Sequence, residues 1–218
     1  MKLQIIVSLI LAFILTQAPI IGKYFAMVNT MIHETGHSLM ALMTGGHVRN
    51  ISLFPNTSGV TMTGHSSWFS QFLTSISGYV FASFVSYLFF YLISKGNYRW
   101  MIYLLLGFLI INLLFWVRNG YGLFWIITFG ALFIWLLRSG NQTLIQYMLV
   151  FIASLVLIEA VTSAFEIMWI SFYSPQQAGD AANLAALTGF IPALIWGVLF
   201  FAQALYFASL SLQRIFLP

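Results

Sequence analysis

Charged residues are scarce in this 218-residue sequence, in which Asp, Glu, Lys and Arg together make up 6%. A soluble domain carries about 25% of these residues, which cover its water-facing surface. A chain with so little charge cannot cover such a surface, whereas lipid tolerates it. The composition therefore excludes an ordinary soluble domain. Hydrophobic residues make up 61% and aromatic residues 18% of the chain, which fits a protein whose rings anchor at the lipid headgroups.

Cysteine is absent, so the chain has no disulfides, no thiolate metal ligands and no cysteine nucleophile. The net charge of +4 comes from eight basic and four acidic residues, and no basic run is present. Isolated basic residues between apolar segments are typical of membrane-protein loops and not of a nucleic-acid interface. The sequence thus predicts the lipid bilayer as its surroundings and no nucleic-acid partner.

Apolar segments of helical length follow one another along the whole chain. About 20 helical residues cross the hydrocarbon core. The predicted segments are Leu3–Gly22, Tyr24–Met43, Phe72–Ser94, Tyr98–Val117, Tyr121–Leu137, Thr143–Ile170 and Ala181–Leu212. Gly189 and Pro192 could break the last one. We therefore expect an all-α polytopic membrane protein with six or seven transmembrane helices. Residues 1–218 form one domain in this interpretation, placed in a bacterial-type cell membrane as a multi-pass protein.

One connection between these segments has a pattern of its own. Within Gly45–Gln71, alternating apolar residues lie on both sides of the turn-forming cluster Pro55-Asn56-Thr57-Ser58-Gly59. Alternation on either side of such a cluster is typical of two paired strands. The stretch Val48–Thr63 is therefore predicted to form a short β-hairpin after the second helix.

The second apolar segment contains His33-Glu34-Thr35-Gly36-His37. Residues four apart lie on one face of a helix, so the two imidazoles can hold one zinc ion. The glutamate between them can act as general base on a zinc-bound water. With four histidines in the chain, chance would produce this pattern about once in a thousand sequences. The alternative is a polar cluster that hydrogen-bonds to neighbouring helices.

A hydrolytic zinc site needs a third protein ligand. The candidates are His47, His65, Glu159, Glu166 and Asp180. Asp180 opens the last segment, where it could equally cap a helix. In a seven-helix topology it enters from the face at which the second helix ends, so it can meet His37. Glu159 and Glu166 share one helix face, where a carboxylate could fix the tautomer of a zinc-bound histidine or the two could form a structural pair. His47 and His65 are expected to be solvated.

Two stretches resemble the site-2 protease family of intramembrane zinc metallopeptidases. One is the histidine motif with the residues that follow it, up to Gly45-Gly46. The other is Gly179–Pro192, which contains Asp180 and Asn183. The resemblance covers about Thr30–Gly64 and Gly179–Trp196, and it is greatest for the compact branch that has a membrane domain only.

This resemblance implies His33, His37 and Asp180 as zinc ligands and Glu34 as the catalytic base. The implied activity is hydrolysis of peptide bonds in membrane protein substrates. It also implies that the hairpin edge could pair with an extended substrate. One position departs from the better-known members, in which Gly follows the ligand Asp, because Ala181 stands there in this chain.

Two other functions compete with proteolysis. The first is a catalytically silent membrane scaffold that keeps the peptidase fold and binds partners. The second is a metal transporter, which needs polar ligands along a path through several helices. The segments from Phe72 to Val117 contain no acid and no histidine, which disfavours the transporter.

Overall fold

The computed structural model describes residues 2–216, so the outermost residues of the predicted 1–218 domain, 1, 217 and 218, lie outside it. Its described part contains eight α-helices and one two-stranded sheet. The helices are α1 (Lys2–Thr16), α2 (Ile21–Met43), α3 (Trp68–Ser94), α4 (Tyr98–Ile111), α5 (Gly120–Arg138), α6 (Gln142–Tyr173), α7 (Gly179–Thr188) and α8 (Ala193–Phe216). The strands are β1 (His47–Leu53) and β2 (Gly59–Gly64). The predicted fold class, a helical membrane protein with a hairpin after the second helix, is confirmed.

Five helices in the described part are long and apolar enough to cross a membrane. These are α3, α4 with the π-helical turn Asn112–Trp116 that continues it, α5, α6 and α8. The first two helices meet at an angle of 108° and pass the same test only as one broken span. The break contains Pro19, which has no backbone N–H to donate to a continuous helix. The count is therefore five or six candidate spans, and the seven separate spans that the sequence allowed are not found.

The last predicted segment is broken where Gly189 and Pro192 suggested. Gly189 adopts a left-handed conformation (φ 72°) at the end of α7, and its N–H donates to Ala185 O at 2.9 Å. Glycine takes this conformation without steric cost, and the proline shortly after it cannot continue the helix. The short helix α7 is thereby separated from the long helix α8. This break places Asp180 on an element that is free to pack independently of the last span.

Hydrogen bonds between remote residues show which helix ends lie together. Lys2 Nζ donates to Phe216 O at 3.2 Å, so α1 begins where α8 ends. Trp68 Nε1 donates to Leu187 O at 3.0 Å, so α3 begins beside the end of α7. Four helices, α3 to α6, separate the end of α2 from the start of α7, and an even number of crossings returns the chain to the same side. The end of α2 and the start of α7 therefore lie on the same side of the membrane, as predicted, although the chain has five or six candidate spans and not seven.

The hairpin lies along α2. At its base, Gly46 N donates to Ala41 O at 2.8 Å, and at its tip, Thr30 Oγ1 donates to Thr57 O at 2.8 Å. The strands pair in antiparallel register, with a bulge between Val48 and Asn50. The turn of the hairpin therefore reaches the level of Thr30, one helical turn before the histidine motif.

Candidate metal centre

Three side chains converge at the start of α7. Asp180 Oδ2 lies 3.2 Å from His33 Nε2 and 3.2 Å from His37 Nε2, and the two nitrogens are 3.0 Å apart. The side chains are mostly buried, with exposed fractions of 14% for His33, 9% for His37 and 16% for Asp180. Zinc bonds of 2.0–2.1 Å in a tetrahedron would hold ligand atoms about 3.3 Å apart. The spacing of these three atoms is close to that value.

The orientation of His37 leaves one nitrogen available for a metal. Its Nδ1 lies 2.6 Å from the backbone oxygen of Thr74, which can only accept a hydrogen bond. The proton of the neutral ring is therefore on Nδ1, and Nε2 presents a lone pair toward His33 and Asp180. Two neutral imidazole nitrogens and one carboxylate form a donor set that zinc accepts. The residues present therefore fit a zinc ion.

Gly78 of α3 provides the space for this cluster. A Cβ atom at this position would overlap the Nε2 atoms of both His33 and His37. The ring of Tyr79, the next residue, packs edge-on against His33 with 4.6 Å between ring centroids. Helix α3 thus contributes the wall against which both imidazoles are placed.

Asp180 does not cap its helix. It lies in the first turn of α7, the N-cap position is Ala178, and no side-chain hydrogen bond caps that end. The carboxylate instead points to the two histidines. The structure therefore places this carboxylate beside the two histidines and shows no cap formed by it.

Glu34 lies on the same helix as the two histidines and is 5% exposed. Thr61 Oγ1 of β2 donates to Glu34 Oε2 at 2.5 Å, which holds one carboxylate oxygen. Gly59, also on β2, packs so closely that a Cβ atom there would overlap the Glu34 carboxylate. The hairpin therefore sets the orientation of the carboxylate that the sequence predicted as the base.

A cavity of about 750 Å³ opens beside this cluster. Its walls come from α2, the hairpin, α3, α6 and α7, and they include His33, Glu34, His37 and Asp180. Glu159 and Glu166 also line the cavity, but they lie outside the group of ligand atoms that could share one ion. This separation disfavours both glutamates as the third ligand.

The two hairpin histidines also lie away from that group. His65 Nε2 is 3.1 Å from Thr63 Oγ1. Partial burial lowers the pKa of His65, and the neighbouring His47 adds to this effect. Among the described residues, only His33, His37 and Asp180 bring three possible metal-binding atoms within 4.8 Å of one another.

A family model described as Peptidase M50B-like matches residues 6–211, nearly the whole chain. The chain belongs to the Peptidase M50B-like family. This assignment confirms the resemblance to membrane metallopeptidases of the site-2 protease type. Comparisons with curated proteins and with solved structures give no match.

The hairpin of this M50B-like chain has one covered edge and one open edge. Ile51 O of β1 accepts from Arg118 N at 3.2 Å. Leu53 N donates to Asn119 Oδ1 at 3.0 Å, and Leu53 O accepts from Asn119 Nδ2 at 2.6 Å. Within residues 2–216, no backbone group of β2 hydrogen-bonds to the backbone of an element other than the hairpin. Residues Gly59 to Thr63 of β2 line the cavity instead.

Several residues that shape the M50B-like site were missed by the sequence analysis. Asn112 is fully buried, and its Nδ2 donates to Thr35 Oγ1, inside the histidine motif, at 2.7 Å. An asparagine in an apolar segment of transmembrane length is itself a signal that its amide has a hydrogen-bond partner. Gly78, Thr74 and Thr61 gave no such signal, because their roles depend on contacts with residues far away in sequence.

Proposed function

We propose that this chain is an intramembrane zinc metallopeptidase that hydrolyses peptide bonds of membrane-embedded substrates, in a bacterial-type cell membrane. The observation that supports this function best is the convergence of His33, His37 and Asp180 beside Glu34 on the wall of one cavity. Membership of a metallopeptidase family supports it independently. The three converging residues would hold the ion. Zinc bound there supplies Lewis-acid chemistry to the reacting carbonyl group and to water.

The chain's own residues provide the proton transfers and the placement. Glu34 accepts a proton from the attacking water and later returns it to the leaving amine. Thr61 holds Oε2 of this carboxylate, which leaves Oε1 to exchange the proton. Thr74 fixes the tautomer of His37 through its backbone oxygen.

The open edge of β2 provides the means to hold a substrate in extended form. A transmembrane helix must unwind before hydrolysis, and its freed backbone groups then need partners in an apolar environment. Strand addition to a free edge supplies such partners. Since β2 passes Glu34, a strand added there lies next to the candidate base.

The decisive experiment compares zinc content and cleavage for two variants in detergent. Glu34→Gln keeps the shape of the side chain and removes the base, so we expect unchanged zinc and a loss of cleavage of about 10²- to 10⁴-fold. His33→Ala removes a predicted ligand and should lose the metal. Zinc stoichiometry unaffected by His33→Ala would contradict the proposed site. Wild-type protein that binds zinc but cleaves no membrane peptide would favour the silent scaffold.

A further inference from the structure

Asn29 is a buried polar residue with no assigned partner, one turn before His33 on α2. It is 4% exposed, and its Oδ1 has no hydrogen-bond partner among the described residues. A buried amide oxygen without a partner is destabilising, because it has lost its hydrogen bonds to water. Asn29 lines the same cavity as the metal cluster. Since the oxygen itself is enclosed, the amide must turn about its last side-chain bond to present that oxygen to a group in the cavity.

The level of Asn29 along α2 shows what enters there. The helix rises about 1.5 Å per residue, so Asn29 lies about 6 Å from His33 along the axis. At this level, Thr30 contacts Thr57 in the turn of the hairpin. The free edge of β2 begins only at Gly59, beside Glu34. A substrate strand that follows β2 past Glu34 thus runs out of strand partners when it reaches the level of Asn29.

A carboxamide offers one donor group and one acceptor, the same hydrogen-bonding groups as a peptide unit. We infer, on the basis of the proposed function, that the Asn29 side chain binds the backbone of the substrate. The bound part of the substrate lies beyond the cleavage point, toward the start of α2. There it replaces the hydrogen bonds that β2 no longer provides. Asn29 is a substrate-binding residue in this view, and it takes no part in metal binding.

Binding to an inactive parent tests the inference separately from cleavage. The parent is the full chain with Glu34→Gln, loaded with zinc in detergent. The probe is a dye-labelled synthetic peptide with one apolar span of about 20 residues and a central glycine pair. Adding Asn29→Leu removes the amide at similar volume, and we expect the peptide Kd to rise about five- to tenfold. The zinc content should not change, and the thermal midpoint should stay equal or rise, since an unpaired buried polar atom is removed.

Ser86→Ala is the matched control, because Ser86 Oγ is also buried without a partner but does not line the cavity. This variant should leave the Kd unchanged. If Asn29→Leu does not fold, Asn29→Ala removes the amide without adding bulk and gives the same comparison. A second measurement uses a series of peptides, each N-methylated at a single backbone position. At one of these positions, methylation should weaken binding to the parent and leave binding to the Asn29→Leu variant unchanged.

An unchanged Kd in the Asn29 variants overturns the inference, and so does a rise in Kd that is accompanied by loss of zinc, because Asn29 would then support His33. The absence of any such N-methyl position overturns the assignment to the substrate backbone. A peptide that binds with the expected difference but is not cleaved by wild-type protein contradicts the proposed function alone. Failure of the parent to bind the peptide contradicts both.

Discussion

Two parts of this bundle, α2 with α3 and α4 with α5, bury different kinds of side chain. In α2 and α3, buried residues include Asn29, Glu34, His37, Thr74 and several serines. In α5, every buried residue is apolar or glycine, and in α4 all three are apolar. Helix α3, in this polar part, is also more enclosed than α4 or α5, in the apolar part, since 61% of its candidate span is buried against 28% and 33%. Polar groups are costly inside a membrane protein, and they are kept where they bind something.

Three glycines inside these helices follow the same division. Gly78 on α3 lies against both histidines, whereas the space around Gly107 on α4 and Gly130 on α5 is open to a distance of 4 Å. A glycine inside a helix costs about 0.5–1 kcal/mol relative to alanine. In the polar part, the absence of a side chain is needed for the site to form. At Gly107 and Gly130, no contact within the described residues requires it, whereas Gly122, near the start of α5, lies against Val117 and Asn119.

The largest effect is expected from substitution of Asp180, whose carboxylate lies beside the two histidines of α2. Asp180→Ser should reduce zinc affinity more than 100-fold, on the order of losing a ligand, because a neutral hydroxyl is a poor zinc donor. Helix α7 should persist, since Asp180 makes no capping hydrogen bond. Metal analysis of the purified variant measures this outcome. Glu166→Gln is the control and should keep zinc. If Glu166→Gln loses the metal and Asp180→Ser does not, the third ligand is on α6.

The two glycines provide a smaller effect with a matched control. Gly78→Ala should weaken zinc about 10- to 100-fold, as expected for a residue that positions ligands, because the new methyl group overlaps both imidazoles. Gly107→Ala should leave zinc unchanged and raise the thermal midpoint slightly, since alanine is the better helix former. Zinc titration and thermal unfolding of both proteins test the comparison. Equal zinc affinity in the two variants would show that α3 does not shape the metal centre.

The smallest effect is expected from substitutions at Thr61 in β2, the strand of the hairpin that has the open edge. Thr61→Val and Thr61→Pro both lose the hydroxyl that holds Glu34, but only proline also removes the backbone N–H. If that N–H pairs with substrate, Thr61→Pro should raise KM about five- to tenfold over Thr61→Val, while both keep zinc. Cleavage kinetics on one membrane peptide give the two constants. Identical KM values would argue against strand addition at β2.

Alternation along the strands explains why Thr61 is the position to test. Phe54 N donates to Ser58 O, and the outward groups of β1 belong to Ile51 and Leu53. Along an antiparallel pair, the backbone groups of successive residues point alternately toward the partner strand and away from it. Thr61 lies opposite Ile51 and therefore points its backbone groups away from β1, whereas Met62 points its own toward β1. From the sequence, proline at Ile51 or Met62 is expected to remove an edge donor. The structure corrects this expectation, because the edge of β1 is covered and Met62 faces inward.

Much of the site could be predicted because its residues form a local pattern. The spacing of His33 and His37 is a property of one helix, and the hairpin is a property of one continuous stretch. The third ligand could not be derived in this way. Five candidates were compatible with the residues alone. Topology and the family resemblance favoured Asp180, and the approach of α7 to α2 brings its carboxylate beside both histidines. Its role as a ligand stays a prediction, whereas its position beside both histidines is seen in the structure.

The sequence alone determined that the chain lies in a bilayer, that it is helical with one hairpin, and which helix carries the metal-binding motif. These conclusions rest on composition and on periodicity, which act within a single element. Tertiary structure alone decided that α1 and α2 form a bent pair, that β2 has the open edge, and that Gly78 makes room for the histidines. The last two depend on the distance between residues remote in the chain, which no local pattern encodes, and Pro19 permits the bend of the first pair without setting its angle.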